Sequence, residues 1–144
     1  MNVDLTIVRD EVTPKLRLLA DRWPQEHRQA LYAAGSVVQR LAMGNLSGRR
    51  LRARSNRLRS SVVTEVRGDE VAIGSNVVYA RIHELGGEIV PRTAPALVFR
   101  TEDGAFHRVQ RVSMPARHWL SAALEESWGK VSEVFETAIA KLIG

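Results

Sequence analysis

The pair His83-Glu84 is the first place where this chain could do chemistry. The zinc-protease pattern His-Glu-x-x-His puts two imidazole ligands on one helical face, with the glutamate as general base. The second histidine would have to stand at position 87, which is Gly87. The three other histidines are far apart, the chain has no cysteine, and neither a Gly-x-Ser-x-Gly nor a Gly-x-x-x-x-Gly-Lys motif occurs. We therefore predict no catalytic residue, no metal site and no cofactor.

Recognition of an anion by arginine is the second kind of chemistry that the residues suggest. Six arginines fall within eleven residues, with no acidic residue among them. These residues, which we call the arginine strip, are Arg49, Arg50, Arg52, Arg54, Arg57 and Arg59. The chain has 21 Lys+Arg and 16 Asp+Glu, so the strip accounts for its whole net charge of +5. Guanidinium groups bind phosphates and carboxylates in a bidentate manner, so the strip indicates a DNA backbone or an acidic protein surface, unless it is only a solvated face.

The arginine strip lacks the features of a sequence-specific reader of nucleic acid. Its Gly, Asn and Ser residues favour a loop over a recognition helix. No aromatic residue occurs between Ala33 and Val78, so the strip offers no ring for base stacking. Breakers at Gly44, Asn45 and Gly48 and the repulsion of like charges predict a mobile loop over residues 44–60.

The elements on either side of the strip predict an α+β fold. Alternating apolar residues predict a strand at Val3–Ile7. Two helices should follow as an αα-hairpin, beginning at Thr13-Pro14 and at Trp23-Pro24, because proline is favoured in the first helical turn. After the strip, one β-hairpin should turn at Gly68-Asp69 and another at Glu102-Asp103-Gly104. The strands together predict a central antiparallel sheet.

The C-terminal zone predicts one long amphipathic helix. Apolar residues recur there at steps of three and four from Leu120 to Leu142. A shorter helix is predicted over Asn76–Leu85, ended by Gly86 in a left-handed conformation. Apolar residues make up 44% of the chain and charged residues 26%, and no apolar run approaches the ~20 residues of a membrane span. The sequence therefore predicts a soluble, single domain over residues 1–144.

Two segments carry a resemblance to a known family. The stretch Val78–Arg92 resembles the phage virion-morphogenesis family of tail-completion proteins, which are Mu-like neck or head–tail joining components. The resemblance continues through Val112–Leu120 and covers about residues 46–124. The chain departs from the usual family pattern at Ser55-Asn56, where Thr-Gly is common, and at His118-Trp119, where Pro-Phe is common. The family-motif residues are Tyr79, His83, Glu84, Gly86, Gly87, Pro115, Ala116 and Arg117.

The resemblance implies a structural, non-enzymatic protein of a phage or prophage, which acts in tail completion and head–tail joining by assembling into a ring. Its partners would be further copies of itself and other neck, tail or head proteins, with passing contact with packaged DNA and none with a membrane. It would be found in the virion and, during assembly, in the host cytoplasm. The motif residues are assigned structural roles, with Tyr79 and Ile82 packed inward.

Two interpretations of the arginine strip follow from the resemblance. Tight phosphate contacts would resist the passage of DNA through a ring, so we assign the strip to docking of a neighbouring subunit or partner. The alternative is a small nucleic-acid-binding accessory protein that uses the strip without sequence specificity.

Overall fold

Two long helices frame the structure, which is a computed structural model that describes residues 11–51 and 56–144. The helices of the described part are α1 (Val12–Asn45), α2 (Arg57–Ser60), α3 (Ala80–Leu85) and α4 (Ser121–Ile143). The strands are β1 (Val62–Arg67), β2 (Glu70–Ser75), β3 (Gly87–Ile89), β4 (Leu97–Arg100), β5 (Phe106–Val109) and β6 (Val112–Met114). The α+β prediction is confirmed, and so is the long C-terminal helix.

The predicted pair of N-terminal helices is wrong, because α1 runs unbroken through Pro24. Proline removes one backbone hydrogen bond and crowds the carbonyl four residues earlier, here that of Ala20. Both residues are exposed, so water can solvate the carbonyl that is left without its helical partner. The rings of Trp23 and His27 stack across the proline at 5.0 Å, as residues four apart on one helix do. The partner of α1 is α4, and the predicted strand at Val3–Ile7 lies outside the described residues.

Helices α1 and α4 are antiparallel, and ion pairs join them near both ends of α4. Lys141 Nζ lies 3.0 Å from Glu26 Oε2, close to the end of α4. Arg50, just after α1, lies 3.4 Å from Glu126 near the start of α4. Between these points α1 buries Ala30, Leu31, Ala34, Val38 and Ala42.

The strands form three separate two-stranded antiparallel sheets, where one central sheet was predicted. The β1–β2 hairpin turns at Gly68-Asp69 as expected, with Gly68 at a φ of 57°. The β4–β5 hairpin was also predicted, but its second strand was expected to run over Phe106–Val112, whereas β5 ends at Val109. The β3–β6 pair was not predicted, because its strands are three residues long and far apart in sequence. Helix α3 is shorter than the predicted Asn76–Leu85. A turn precedes it, closed by a hydrogen bond from the N–H of Ala80 to the carbonyl of Val77.

The core lies where α1, α2, β1, α3 and α4 meet. Its buried side chains include two from the edges of the predicted mobile loop, Leu46 at 1% exposure and Leu58 at 2%. Residues 44–60 are therefore not irregular throughout, because α1 extends to Asn45 and α2 begins at Arg57. Arg52 and Arg54 lie outside the described residues. The core residues are Val38, Ala42, Leu46, Leu58, Val62, Ala80, Trp119 and Ala123.

Candidate interaction surfaces and the motif that supports them

The two halves of the family motif bind each other through backbone hydrogen bonds. The N–H of Arg117 donates to the carbonyl of His83 at 2.9 Å, and the N–H of His118 donates to the carbonyl of Glu84 at 3.1 Å. The last carbonyls of a helix have no partner within the helix, so these bonds satisfy the end of α3. The indole N–H of buried Trp119 donates to the carbonyl of Ala80 at 3.3 Å. The motif therefore joins α3 to the segment that leads into α4.

The Glu84 carboxylate caps the N-terminus of α4. It accepts hydrogen bonds from the N–H of Leu120 at 2.8 Å, the N–H of Ser121 at 3.0 Å and the Ser121 hydroxyl at 2.5 Å. Helix α4 has no side-chain cap of its own and no acidic residue in its first turn. Burial raises the pKa of Glu84, but these hydrogen bonds and the charge of His118 outweigh it, so the pKa lies below its usual value. Glu84 thus supplies both the missing cap and a negative charge at the positive end of α4.

His83 supports the motif as a neutral, half-buried ring. Burial lowers its pKa below 6.5, and the nearby charge of Arg117 lowers it further. Tyr79 packs edge-on against the imidazole at 5.9 Å between ring centroids. Tyr79 is 37% exposed, so its predicted inward packing is wrong; Ala80 is the buried residue, and Ile82 is half-buried. Within residues 11–51 and 56–144, no group of three His, Cys, Asp or Glu side chains could hold a metal.

Gly86 ends α3 in a conformation that its neighbours require. Its φ of 70° is positive, as in the predicted left-handed conformation, but that prediction is wrong in ψ. The ψ of −175° places Gly86 in a different region, which is used almost only by glycine. A Cβ at this position would lie 2.6 Å from Ala116 N and 2.8 Å from Met114 O. Gly87 pairs with Met114 at the start of the β3–β6 ladder, which ends before Pro115, a residue without an N–H to donate.

His118 has an unusual backbone conformation just before α4. Its φ is 49°, and it is the only described residue other than glycine with a positive φ. A proline, which fixes φ near −65°, could not adopt this conformation. A proline at position 118, which the resemblance leads us to expect, would therefore need a different backbone path into α4.

The arginine strip is partly neutralised by α4. Arg49 lies 3.6 Å and Arg50 3.4 Å from the carboxylate of Glu126. The sequence could not show this partner, because Glu126 is far along the chain. Arg57 and Arg59 are exposed on α2. Because Leu58 between them is buried, packing holds α2 on the core and fixes the base of both side chains.

Exposed apolar side chains on three elements were missed by the sequence interpretation. They are prominent on the β4–β5 hairpin, where Val98 is 65% and Phe106 75% exposed, and on α4, where Trp128 is 66% exposed. In α1, Leu16 is 58% exposed. The sequence of α4 could have predicted this exposure, because it has more apolar residues than one buried helical face can hold. Large exposed apolar patches mark surfaces that contact other proteins.

The comparison with protein-family models agrees with the resemblance. The sequence model of the phage virion morphogenesis family matches residues 29–142, and the chain belongs to this family. The match is wider than the resemblance read from the motifs, because it takes in the second half of α1 and nearly all of α4. It assigns the protein a structural or assembly role in the phage particle. No curated protein and no solved structure matches the chain. None of the helices in the described part is long and apolar enough to cross a membrane.

Proposed function

We propose that this protein is a component of the phage neck or tail end, where it completes the tail and joins it to the head by assembling into a ring. One observation carries the proposal: in a member of a virion-assembly family, large apolar side chains are exposed on α1, α4 and the β4–β5 hairpin. Subunits of a ring meet head to tail, so each must offer two different faces. Exposed apolar surfaces on separate elements supply such faces.

The motif residues support this function indirectly, by fixing the scaffold. Glu84 and His83 have shifted pKa values, but Glu84 caps α4 and the half-buried His83 ring packs against Tyr79, so both serve the packing of the chain. An enzyme would be expected to aim such groups at a pocket for substrate. We therefore assign the protein no catalytic step. Its partners are further copies of itself and the neighbouring head, neck or tail proteins.

The arginine strip is the second docking surface in this proposal. Arg57 and Arg59 are exposed on a helical turn whose Leu58 is buried, so they present charge from a fixed base. Guanidinium groups held in this way suit the carboxylates of an acidic partner. The same exposure favours the second candidate function, non-specific binding of nucleic acid. In that case DNA affinity should fall steeply between about 50 and 200 mM salt.

Removal of the gene tests the proposed function. We expect filled heads and finished tails that fail to unite, or tails with a defective end, because an assembly protein supplies surfaces and no reaction step. Purified protein added to that lysate should restore infectious particles. Normal particles from the knockout would contradict the assembly function.

A matched pair of variants tests the strip in the same lysate. Arg57→Ser with Arg59→Ser should abolish rescue, because the acidic groups of the partner would be left without their counter-charges. Arg67→Ser is the control, since Arg67 is exposed and pairs with Glu65 within its own hairpin; it should rescue fully. Full rescue by the double variant would remove the strip from the docking surface. If that variant also lost salt-sensitive DNA binding, the second candidate would gain support.

A further inference from the structure

The apolar stripe of α1 continues beyond the helix that covers it. Along its C-terminal part, α1 buries residues such as Ala30 and Ala34. The same face is apolar again two turns earlier, beyond the polar residues Glu26 and His27. There it runs at steps of three and four through Trp23, Leu19 and Leu16. Lys141, in the last turn of α4, contacts Glu26, so α4 ends near that point. The earlier part of α1 therefore projects by roughly 20 Å, at 1.5 Å per residue.

The side chains on this projecting part remain largely accessible. Leu16 is 58% exposed and Trp23 45%, although the tip of the β1–β2 hairpin lies beside Trp23. Leu19 is half-buried between them. We call these three residues the α1 stripe. It has the apolar spacing of a helix that packs on another helix, but α4 does not reach it.

Helix α4 carries a second apolar face in addition to the one that packs on α1. Ala123 and Ser127 are fully buried, whereas Leu124 and Trp128, one residue further in each case, are 48% and 66% exposed. Their row continues at steps of three and four through Val131 and Phe135, which are half-buried, to Ile139, which is 44% exposed. Val131 also packs against the core, so the accessible part of the row is its outer edge. We call this row the α4 stripe: Leu124, Trp128, Val131, Phe135 and Ile139. It offers a helix-sized surface along most of α4.

The charged residues beside the two stripes are opposite in sign. Lys15 and Arg22 are exposed and lie two turns apart along one border of the α1 stripe. Glu125 and Glu136 are exposed and lie three turns apart along one border of the α4 stripe. Oppositely charged borders around apolar strips are how helices select a partner and an orientation. The basic border of the α1 stripe is therefore complementary in charge to the acidic border of the α4 stripe.

We propose that the α1 stripe of one copy packs on the α4 stripe of the next copy. The contact is head to tail, since it joins two different surfaces of the same chain, and such contacts close into a ring when the rotation between copies allows it. The inference rests on the self-assembly in the proposed function and names the two surfaces that carry it. A different partner protein would cover one stripe and leave the other exposed, whereas a second copy covers both.

Cysteine cross-linking tests the contact directly, because the natural chain has no cysteine. One copy carries Leu16→Cys, and the other carries Leu124→Cys or Ile139→Cys, so that both directions of helix packing are sampled. Mild oxidation of a mixture should give a disulfide-linked dimer with one of the two α4 variants. Each variant alone should give none, because head-to-tail packing keeps identical positions apart. Leu16→Cys mixed with Val98→Cys, on the exposed β4–β5 hairpin, is the negative control.

A charge exchange tests the same contact without a covalent bond. Replacing Lys15 and Arg22 by Glu, or Glu125 and Glu136 by Lys, should each weaken self-association by about tenfold or more, measured by sedimentation. A chain with all four changes should regain the natural level, because its borders are again opposite in sign.

Three results would overturn the inference. The first is no cross-link with either α4 variant, and the second is a cross-link between two Leu16→Cys copies. The third is a chain with all four charge changes that self-associates no more strongly than the two double variants. These results leave the proposed function separately testable. If the natural protein rescues knockout lysates although the cross-linking fails, it has the assembly role but its copies meet through other surfaces. Failure of the natural protein to rescue would count against the proposed function itself.

Discussion

Gly86→Ala is expected to lower the free energy of unfolding by about 3 kcal/mol or more, the sum of backbone strain and overpacking at one position. The φ of 70° with a ψ of −175° is a conformation that side chains avoid. The added methyl would also lie 2.6 Å from Ala116 N, a backbone atom that cannot rotate away. For a chain of this length the melting temperature should fall by about 10 °C. Gly86→Val should cost more still.

Gly129→Ala is the matched control for this change. Gly129 lies inside α4, and an added Cβ would meet no atom within 4 Å. Alanine is the better helix former, so this variant should gain about 0.5–1 kcal/mol. A Gly86→Ala protein as stable as the natural one would show that α3 does not meet the segment before α4 in the way described.

Glu84→Ala is expected to cost roughly 2–3 kcal/mol, measured by denaturant unfolding. The change removes a charged acceptor with three donors at the N-terminus of α4, and hydrogen bonds to charged groups contribute more than neutral ones. Glu88→Ala is the control. Its carboxylate pairs with Arg111 at 3.3 Å on the exposed surface, so its loss should cost at most about 1 kcal/mol. Equal losses for the two variants would contradict the capping role.

The stabilisation by Glu84 should depend on pH in a defined direction. Its pKa in the folded protein is lowered from the ordinary 4.5, so the unfolded chain binds the proton more readily. The contribution is therefore fully present above the unfolded pKa and is lost as the pH falls through the folded one. The stability difference between the natural protein and Glu84→Gln should shrink from neutral to acid pH. A difference that grows in acid would mean that the folded pKa of Glu84 is raised, so that the folded protein binds this proton more tightly than the unfolded chain does.

The elements that were predicted correctly depend on local sequence. The β1–β2 turn at Gly68-Asp69 and the apolar period of α4 are set by residues that are close in the chain. The N-terminal helices were predicted wrongly because proline at position 24 is a strong local signal for a helix start. The helix nevertheless continues, because Ala20 and Pro24 are exposed and water can solvate the carbonyl that proline leaves without a helical partner. The β3–β6 pair depends on a contact between distant segments, which periodicity does not show.

The motif residues could be found from the sequence, but their roles could not. Glu84 was considered as part of a metal motif and then kept as a family residue, but its capping role was not predicted, because its donors at Leu120 and Ser121 lie far along the chain. The start of α4 has no capping side chain of its own, which indicates that a residue from another part of the chain caps it. Glu126 was likewise not recognised as the partner of Arg49 and Arg50. Such pairings are fixed by the fold and carry no pattern in the sequence.

The position of this protein in the intact phage particle tests the central claim most directly. In a reconstruction of the region where head and tail meet, we expect a closed ring of copies. The antiparallel pair of α1 and α4 should be recognisable in each copy, because these are the two longest described elements. Density for such a ring at the end of the tail or in the neck would agree with the account. Absence of the protein from purified particles, or its distribution along the whole tail, would contradict it.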